Sequence, residues 1–275
     1  MAIDDLNPDS IEKLIDVGAA HADAKEVPGY VPYVVVPNEY HVEGLDKYQR
    51  NPARLQQTVS VFNTKSFTEY FTDYCNEDSR IFVDVQKPAI VAVLDYHIAG
   101  VTPTPNWTMH RLFYQFRETT EWKTWAASNK KAMTQADFAH FIEDNVLEVV
   151  QPPAAQMIEI ARSLEAKKNV NFSSSIRLSN GEVQLNYEET INATAAKGSL
   201  GVPETFELGI KPFEGADSYA LTARLRFKFN QGGLVLWYDL VRPHKVIEDA
   251  VNTVVAAIEA SVNKGTITWG ALASF

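Results

Sequence analysis

Asp95, His97 and His110 gather within the stretch AVLDYHIAG and the NWTMH that follows it, in a chain with only six histidines. Two imidazoles and one carboxylate form the donor set of a metal site that keeps coordination positions open, which would suit metal-assisted hydrolysis. The same three can also work without a metal. A carboxylate holding an imidazole can close the end of a sheet, where buried polar groups must find partners. A third use is metal-free acid–base chemistry or contact with a ligand.

Register decides which side chains meet. Ala89 to Ile98 reads as a strand that is apolar on both faces up to Leu94, as expected of a strand covered on both sides. Trp107 to Arg117 reads as the next strand, with His110, Leu112, Tyr114 and Phe116 on one face. Pairing the two across VTPTPN places Val91 and Val93 on the face of Tyr114 and Leu112, since the opposite choice sets apolar residues against Arg111 and Gln115. Asp95 is then expected beside His110, with His97 a diagonal neighbour.

Other chemistry is sparse. There is no GxxxxGK, no GxGxxG after a strand, no G-x-S-x-G and no H-E-x-x-H, and no cofactor is predicted. The single cysteine, Cys75, falls beside an apolar helical stripe, where an inert thiol is expected. Arg224, Arg226 and Lys228 form a basic stripe, but the opposing strand presents Trp237 and Asp239 to it, so an internally paired face is favoured over nucleic-acid contact. Thirty-five acidic against twenty-five basic residues, a net charge of −10, argue the same way. Trp122, Trp125, Phe138 and Phe141 sit at near-helical spacing and read as core.

The surrounding pattern predicts an α+β fold. Asp9-Ser-Ile-Glu12 has capping spacing before Ile11, Leu14, Ile15 and Ala19, and Ser66 to Glu69 repeats it before Phe67, Tyr70, Phe71 and Tyr74. RIFVDV and AIVAVLDYHI form a hairpin across Gln86-Lys87-Pro88. The segment between the first helix and this region, rich in proline, reads as loops with one apolar run at Val34 to Val36. Three helices follow between Thr119 and about Lys167, one of them capped by Thr134. The C-terminal part is an antiparallel sheet of about five strands, FSSSIRLSNG, EVQLNYEET, ETFELGIKPF, SYALTARLRFKFN and GLVLWYDLV, packed by a final helix from Pro243. A two-residue turn at Asn180-Gly181 would set Leu178 opposite Val183, Ile176 opposite Leu185 and Ser174 opposite Tyr187. The chain is expected to be one α+β domain, or two packed halves: 1–118 and 169–263, joined by the helical connection 119–168 and followed by an apolar tail 264–275.

AVLDYH, WTMHR, TTEWKTW, FAHFIEDN, RLSNGEVQLNYEET, ARLRFKF and RPHKVIEDA, in that order between about Pro88 and Ala250, resemble the YfdQ-like family of phage and prophage proteins of unknown function. The resemblance implies a protein of the infected or lysogenic bacterial cytoplasm and carries no catalytic residues. The opening residues lack a basic start followed by an apolar run, and no apolar stretch approaches a membrane span, so neither export nor membrane insertion is expected.

The reading that follows is a non-enzymatic accessory protein that self-associates or binds a phage or host protein. Ile267, Trp269, Leu272 and Phe275 of TITWGALASF make an apolar end that needs burial, and docking on a neighbouring subunit is favoured slightly over docking on its own domain. The alternatives are a metal-assisted hydrolase using Asp95, His97 and His110, and a nucleic-acid-handling factor using the basic stripe.

Overall fold

A computed structural model describes residues 8–22, 50–52, 54–166, 171–191, 194–230 and 233–272. The chain divides into two units, Met1–Leu55 and Gln56–Phe275. The first contains α1 (Pro8–Ala22), which carries Ile11, Leu14 and Ile15 at helical spacing. Asp9 falls in its first turn, one residue inside the helix start, rather than at the cap. The apolar run Val34 to Val36 lies outside the described residues.

The larger unit begins with β1 (Gln57–Val61), α2 (Thr64–Tyr74), β2 (Arg80–Asp84), β3 (Ala89–Val93) and β4 (His110–Gln115). The central helices are α3 (Thr120–Ser128), α4 (Gln135–Asp144) and α5 (Ala154–Ala166), with short strands β5 (Met133–Thr134) before α4 and β6 (Val149–Gln151) before α5. Then come β7 (Asn171–Arg177), β8 (Glu182–Ile191), β9 (Thr194–Pro203), β10 (Thr205–Ile210), β11 (Tyr219–Asn230) and β12 (Gly233–Leu240). The described chain closes with α6 (Pro243–Ser261) and β13 (Thr266–Trp269).

Local signals account for most helix starts. Thr119 and Thr134 cap α3 and α4 through their hydroxyls, which accept from Trp122 N and Asp137 N. The expected cap of α2 moves from Ser66 to Asn63, whose side-chain oxygen accepts from Ser66 N at 2.8 Å and so starts the helix at Thr64. α6 opens on Pro243, and the preceding Arg242 turns the chain in the left-handed region at φ 52.

The fold is α+β, with three sheets among the described residues. The first is mixed, in the order β1-β4-β3-β2-β13, and includes the expected β2–β3 hairpin. One face of it is covered by α2 and α6, in a core built on Phe67, Phe71, Ile81, Ile90, Leu112 and Val251. The second is antiparallel with five strands, β5-β12-β11-β10-β6. Its inner face packs Leu208, Leu221, Leu236 and Tyr238 against Trp122, Trp125, Phe138 and Ile142 of the helices. The expected strand count is met with different members. β7, β8 and the unanticipated β9 form a separate three-stranded sheet, and β5 and β6, too short to register as periodic runs, take the edges.

The Asn180-Gly181 hairpin also departs from expectation. Leu178 N donates to Glu182 O, leaving three residues in the loop, and Gly181 takes φ 83. This is the three-residue loop that ends in a left-handed residue. The register slips by one, so Ile176 opposes Gln184 and Ser175 opposes Leu185. Val183 and Leu185 remain buried, whereas Ile176 stands 54% exposed.

α6 joins the cores. Val246 belongs to the core of the antiparallel sheet; Ala250, Val251, Val255 and Ile258 belong to that of the mixed sheet. Gly265 then returns the chain to β2 at φ 84, where an added Cβ would meet the Phe71 ring at 2.9 Å and Ser79 O at 3.0 Å. Gly265→Ala is therefore expected to lower unfolding free energy by about 1–3 kcal/mol through backbone strain. Urea denaturation checks this; a loss below about 0.5 kcal/mol, the level of an ordinary surface substitution, would contradict the tight turn.

Candidate functional site

β3 ends at Val93, and the chain turns at Leu94, whose N–H donates to His110 O at 2.9 Å. The connection to β4 therefore starts and finishes at one place. Asp95 fastens it: its two carboxylate oxygens accept from Met109 N and His110 N, each at 3.0 Å. Further along, His97 Nδ1 accepts from Asn106 N at 3.0 Å, and Asn106 Nδ2 donates to Tyr96 O at 2.8 Å. Ile98 and Thr104 form an antiparallel bridge with both backbone hydrogen bonds made. Tyr96 lies edge-on to Phe82, with the Arg80 guanidinium over its ring. Arg80 Nε is buried there without a hydrogen-bond partner, so the ring face compensates part of its lost hydration.

The sequence-derived register of β3 against β4 is corrected by one residue. Ile90 pairs with Tyr114 and Ala92 with Leu112, while Val91 opposes Phe113 and Val93 opposes Arg111. The objection to pairing an apolar residue with arginine fails because an arginine stem is itself apolar and can cover a valine. His110 does lie on the face of Leu112 and Tyr114, under α2. Its Nε2 sits 2.9 Å from Tyr70 Oη, which also accepts from Gln57 Nε2 at 2.5 Å, and Tyr74 packs on the ring at 5.3 Å.

Asp95 thus meets the backbone of His110 and not its imidazole, and His97 is engaged with Asn106. The three residues share one loop without sharing a centre. Among the described residues no group of three His, Cys, Asp or Glu side chains could hold a metal ion. The hydrolase built on Asp95, His97 and His110 loses its geometric basis.

Beside this corner the backbone is strained. Thr108, a β-branched residue, adopts φ 54, and its carbonyl accepts from Arg111 Nε at 2.7 Å. Together with Gln57, Thr58 and Met109 these residues border a shallow polar depression. The connection as a whole carries large apolar side chains outward. Val101 is fully exposed, Trp107 is 65% exposed, and Ile98 and Met109 are also on the surface.

The other sequence-nominated groups are elsewhere. In the basic stripe Arg226 opposes Trp237, and its Nε lies 3.1 Å from Asp239 Oδ2, so the central charge is neutralised within the sheet. In the tail, β13 adds parallel to β2 of its own chain. Ile267 packs into the core, Trp269 is 58% exposed, Leu272 is half-buried, and Phe275 lies outside the described residues. Cys75 is half-buried at the C-cap of α2.

The family model of the uncharacterised conserved proteins DUF2303 matches residues 10–271. The chain belongs to that family. No curated protein and no solved structure matches it. The DUF2303 match spans the mixed sheet, the corner at Asp95 and the antiparallel sheet alike.

Sequence reasoning picked out Asp95, His97 and His110 but passed over their partners Gln57, Tyr70 and Asn106, which come from distant segments or carry no titratable signal. Val101 was legible as an apolar residue inside the proline-marked loop VTPTPN, whereas Trp107 was read as the start of the next strand, which begins only at His110.

Two outcomes test the corner. Asp95→Ala removes a charged acceptor from two backbone donors and is expected to cost about 1.5–3 kcal/mol in urea unfolding, whereas exposed His97→Ala should cost under about 0.5 kcal/mol. Equal losses would mean that the carboxylate does not brace the loop. The second concerns pH. Burial holds the His110 imidazole below its ordinary value, and the Asp95 charge opposes that more weakly. The unfolded chain then takes up the proton first, so this contribution to stability is intact above about pH 6.5 and is lost as pH falls through the folded-state value. Unfolding free energy should therefore fall from about pH 7 to pH 5, and His110→Asn should fall less steeply over that window. Identical slopes would place the imidazole in solvent.

Proposed function

We propose that this chain acts by binding other proteins, with the 94–109 connection as its contact surface, rather than by catalysis. The supporting observation is that the polar groups best suited to chemistry are spent on bracing a loop. Asp95 and His97 accept from backbone N–H groups across its two limbs, and the apolar Val101 and Trp107 stand in water at its outside. A braced apolar loop has little conformational freedom to lose on association, and aromatic anchors supply much of the binding energy at protein interfaces.

The partner is a second copy of this chain or a protein of the phage or its host. The resemblance to phage and prophage proteins supports a setting in the cytoplasm of an infected or lysogenic bacterium. Among the described residues no helix is long and apolar enough to cross a membrane.

Photo-crosslinking in cells tests the reading. A crosslinking residue at position 101 should give covalent adducts that one at exposed Glu259 of α6 does not, and light scattering of purified protein separates self-association from a foreign partner. The double variant Val101→Ser, Trp107→Ser should weaken the association at least about tenfold, as removal of anchor residues does. Adducts no stronger at 101 than at 259 would end the proposal.

A further inference from the structure

Away from the Asp95 corner, a cleft of 490 Å³ opens where the two cores of the larger unit meet. Its first wall is the chain leaving β4. Phe116, Arg117 and Glu118 run alongside the segment between β10 and β11, and Glu118 bridges Phe213 in antiparallel fashion. Glu214 N donates to Arg117 O at 2.8 Å, Thr119 N to Pro212 O at 3.2 Å, and Thr119 Oγ1 to Lys211 O at 2.5 Å. Two segments far apart in sequence are thus zipped together. Lys123 of α3, Ile247 of α6 and Pro88 complete the surround.

The cleft has an apolar floor and a charged mouth. Phe116 and Phe213 pack at 4.9 Å between ring centroids, beside Ile247, which is partly buried against both cores. Around them Arg117, Glu118, Lys123 and Glu214 are all exposed. Two cations and two carboxylates border the same opening, and none of the four is ion-paired with another described side chain. Arg117 is nevertheless held in place, its guanidinium 3.3 Å from the centre of the Phe62 ring. Ligand sites favour such junctions, are usually preformed, and have volumes of about 300–1,000 Å³.

We propose that this cleft binds a small zwitterion with an apolar body, the class of the free apolar amino acids. The carboxylate goes to Arg117 and Lys123, the ammonium group to Glu118 and Glu214, and the side chain rests on Phe116 and Phe213. A ligand carrying both charges satisfies both pairs at once; one carrying a single charge leaves the other pair unmatched and is repelled by it.

Isothermal titration of the full chain with L-phenylalanine, L-leucine and L-methionine tests this, with phenethylamine and 3-phenylpropionate as analogues lacking one charge. At least one amino acid should bind with Kd near about 1 mM or tighter, and each analogue of phenylalanine at least about fivefold more weakly than phenylalanine itself. Lys123→Gln and Glu214→Gln, both exposed and expected to melt with the wild type, should each weaken the bound amino acid at least about fivefold. Absence of heat from all three amino acids up to about 10 mM overturns the proposal. So does binding that both variants retain, or analogues that bind as tightly as phenylalanine.

Discussion

A single buried stripe on α6 ties the larger unit together. The helix leaves the antiparallel sheet through the left-handed Arg242, gives Val246 to that sheet's core, and then buries Ala250, Val251, Val255 and Ile258 against the mixed sheet. It finally delivers β13 to the free edge of β2. A surface helix normally covers one sheet with one apolar face. Here the stripe is long enough to serve two in succession, so residues near the C-terminus complete a sheet begun at residue 57.

That closure sets the conditions at the Asp95 corner. With α2 and α6 covering one face of the mixed sheet, His110 at the start of β4 is turned under α2 and is 5% exposed. It meets Tyr70 there, whose hydroxyl accepts in turn from Gln57, instead of a carboxylate. The Asp95 carboxylate is left for the backbone at the opposite end of the loop, where two N–H donors have no strand to pair with. Charge-assisted hydrogen bonds to a carboxylate are among the stronger local restraints available. Their result is a connection that returns to its own starting point while holding apolar side chains in water.

A residue set can therefore look catalytic and be structural. Imidazole and carboxylate groups are the usual carriers of proton transfer and metal binding, but they are also good acceptors for backbone donors at irregular chain reversals. What separates the two roles is convergence on a common point. His97 and His110 each have a partner of their own, from Asn106 and from α2. In the cleft at the junction of the cores, by contrast, Arg117, Glu118, Lys123 and Glu214 border one opening, and none of them is ion-paired with another described side chain.

Much of the local structure is written in the sequence itself: the caps at Thr119 and Thr134, the helix start at Pro243, the alternation along β11 and β12, the β2–β3 hairpin, and the core identity of Trp122, Trp125 and Phe138. These follow from short-range rules, in which a side chain and a backbone group a few residues apart decide the outcome. Tertiary structure alone decided the rest. Sheet membership depends on which edges are free when distant segments meet, so β7 and β8 left the expected sheet while β5 and β6 joined it. Register is equally non-local: a slip of one residue exchanges the faces of a strand, and β3 is apolar on both, so its own pattern could not choose between them. The packing of α2 and α6 on Ile90 and Ala92 made that choice, and with it separated Asp95 from the imidazole of His110.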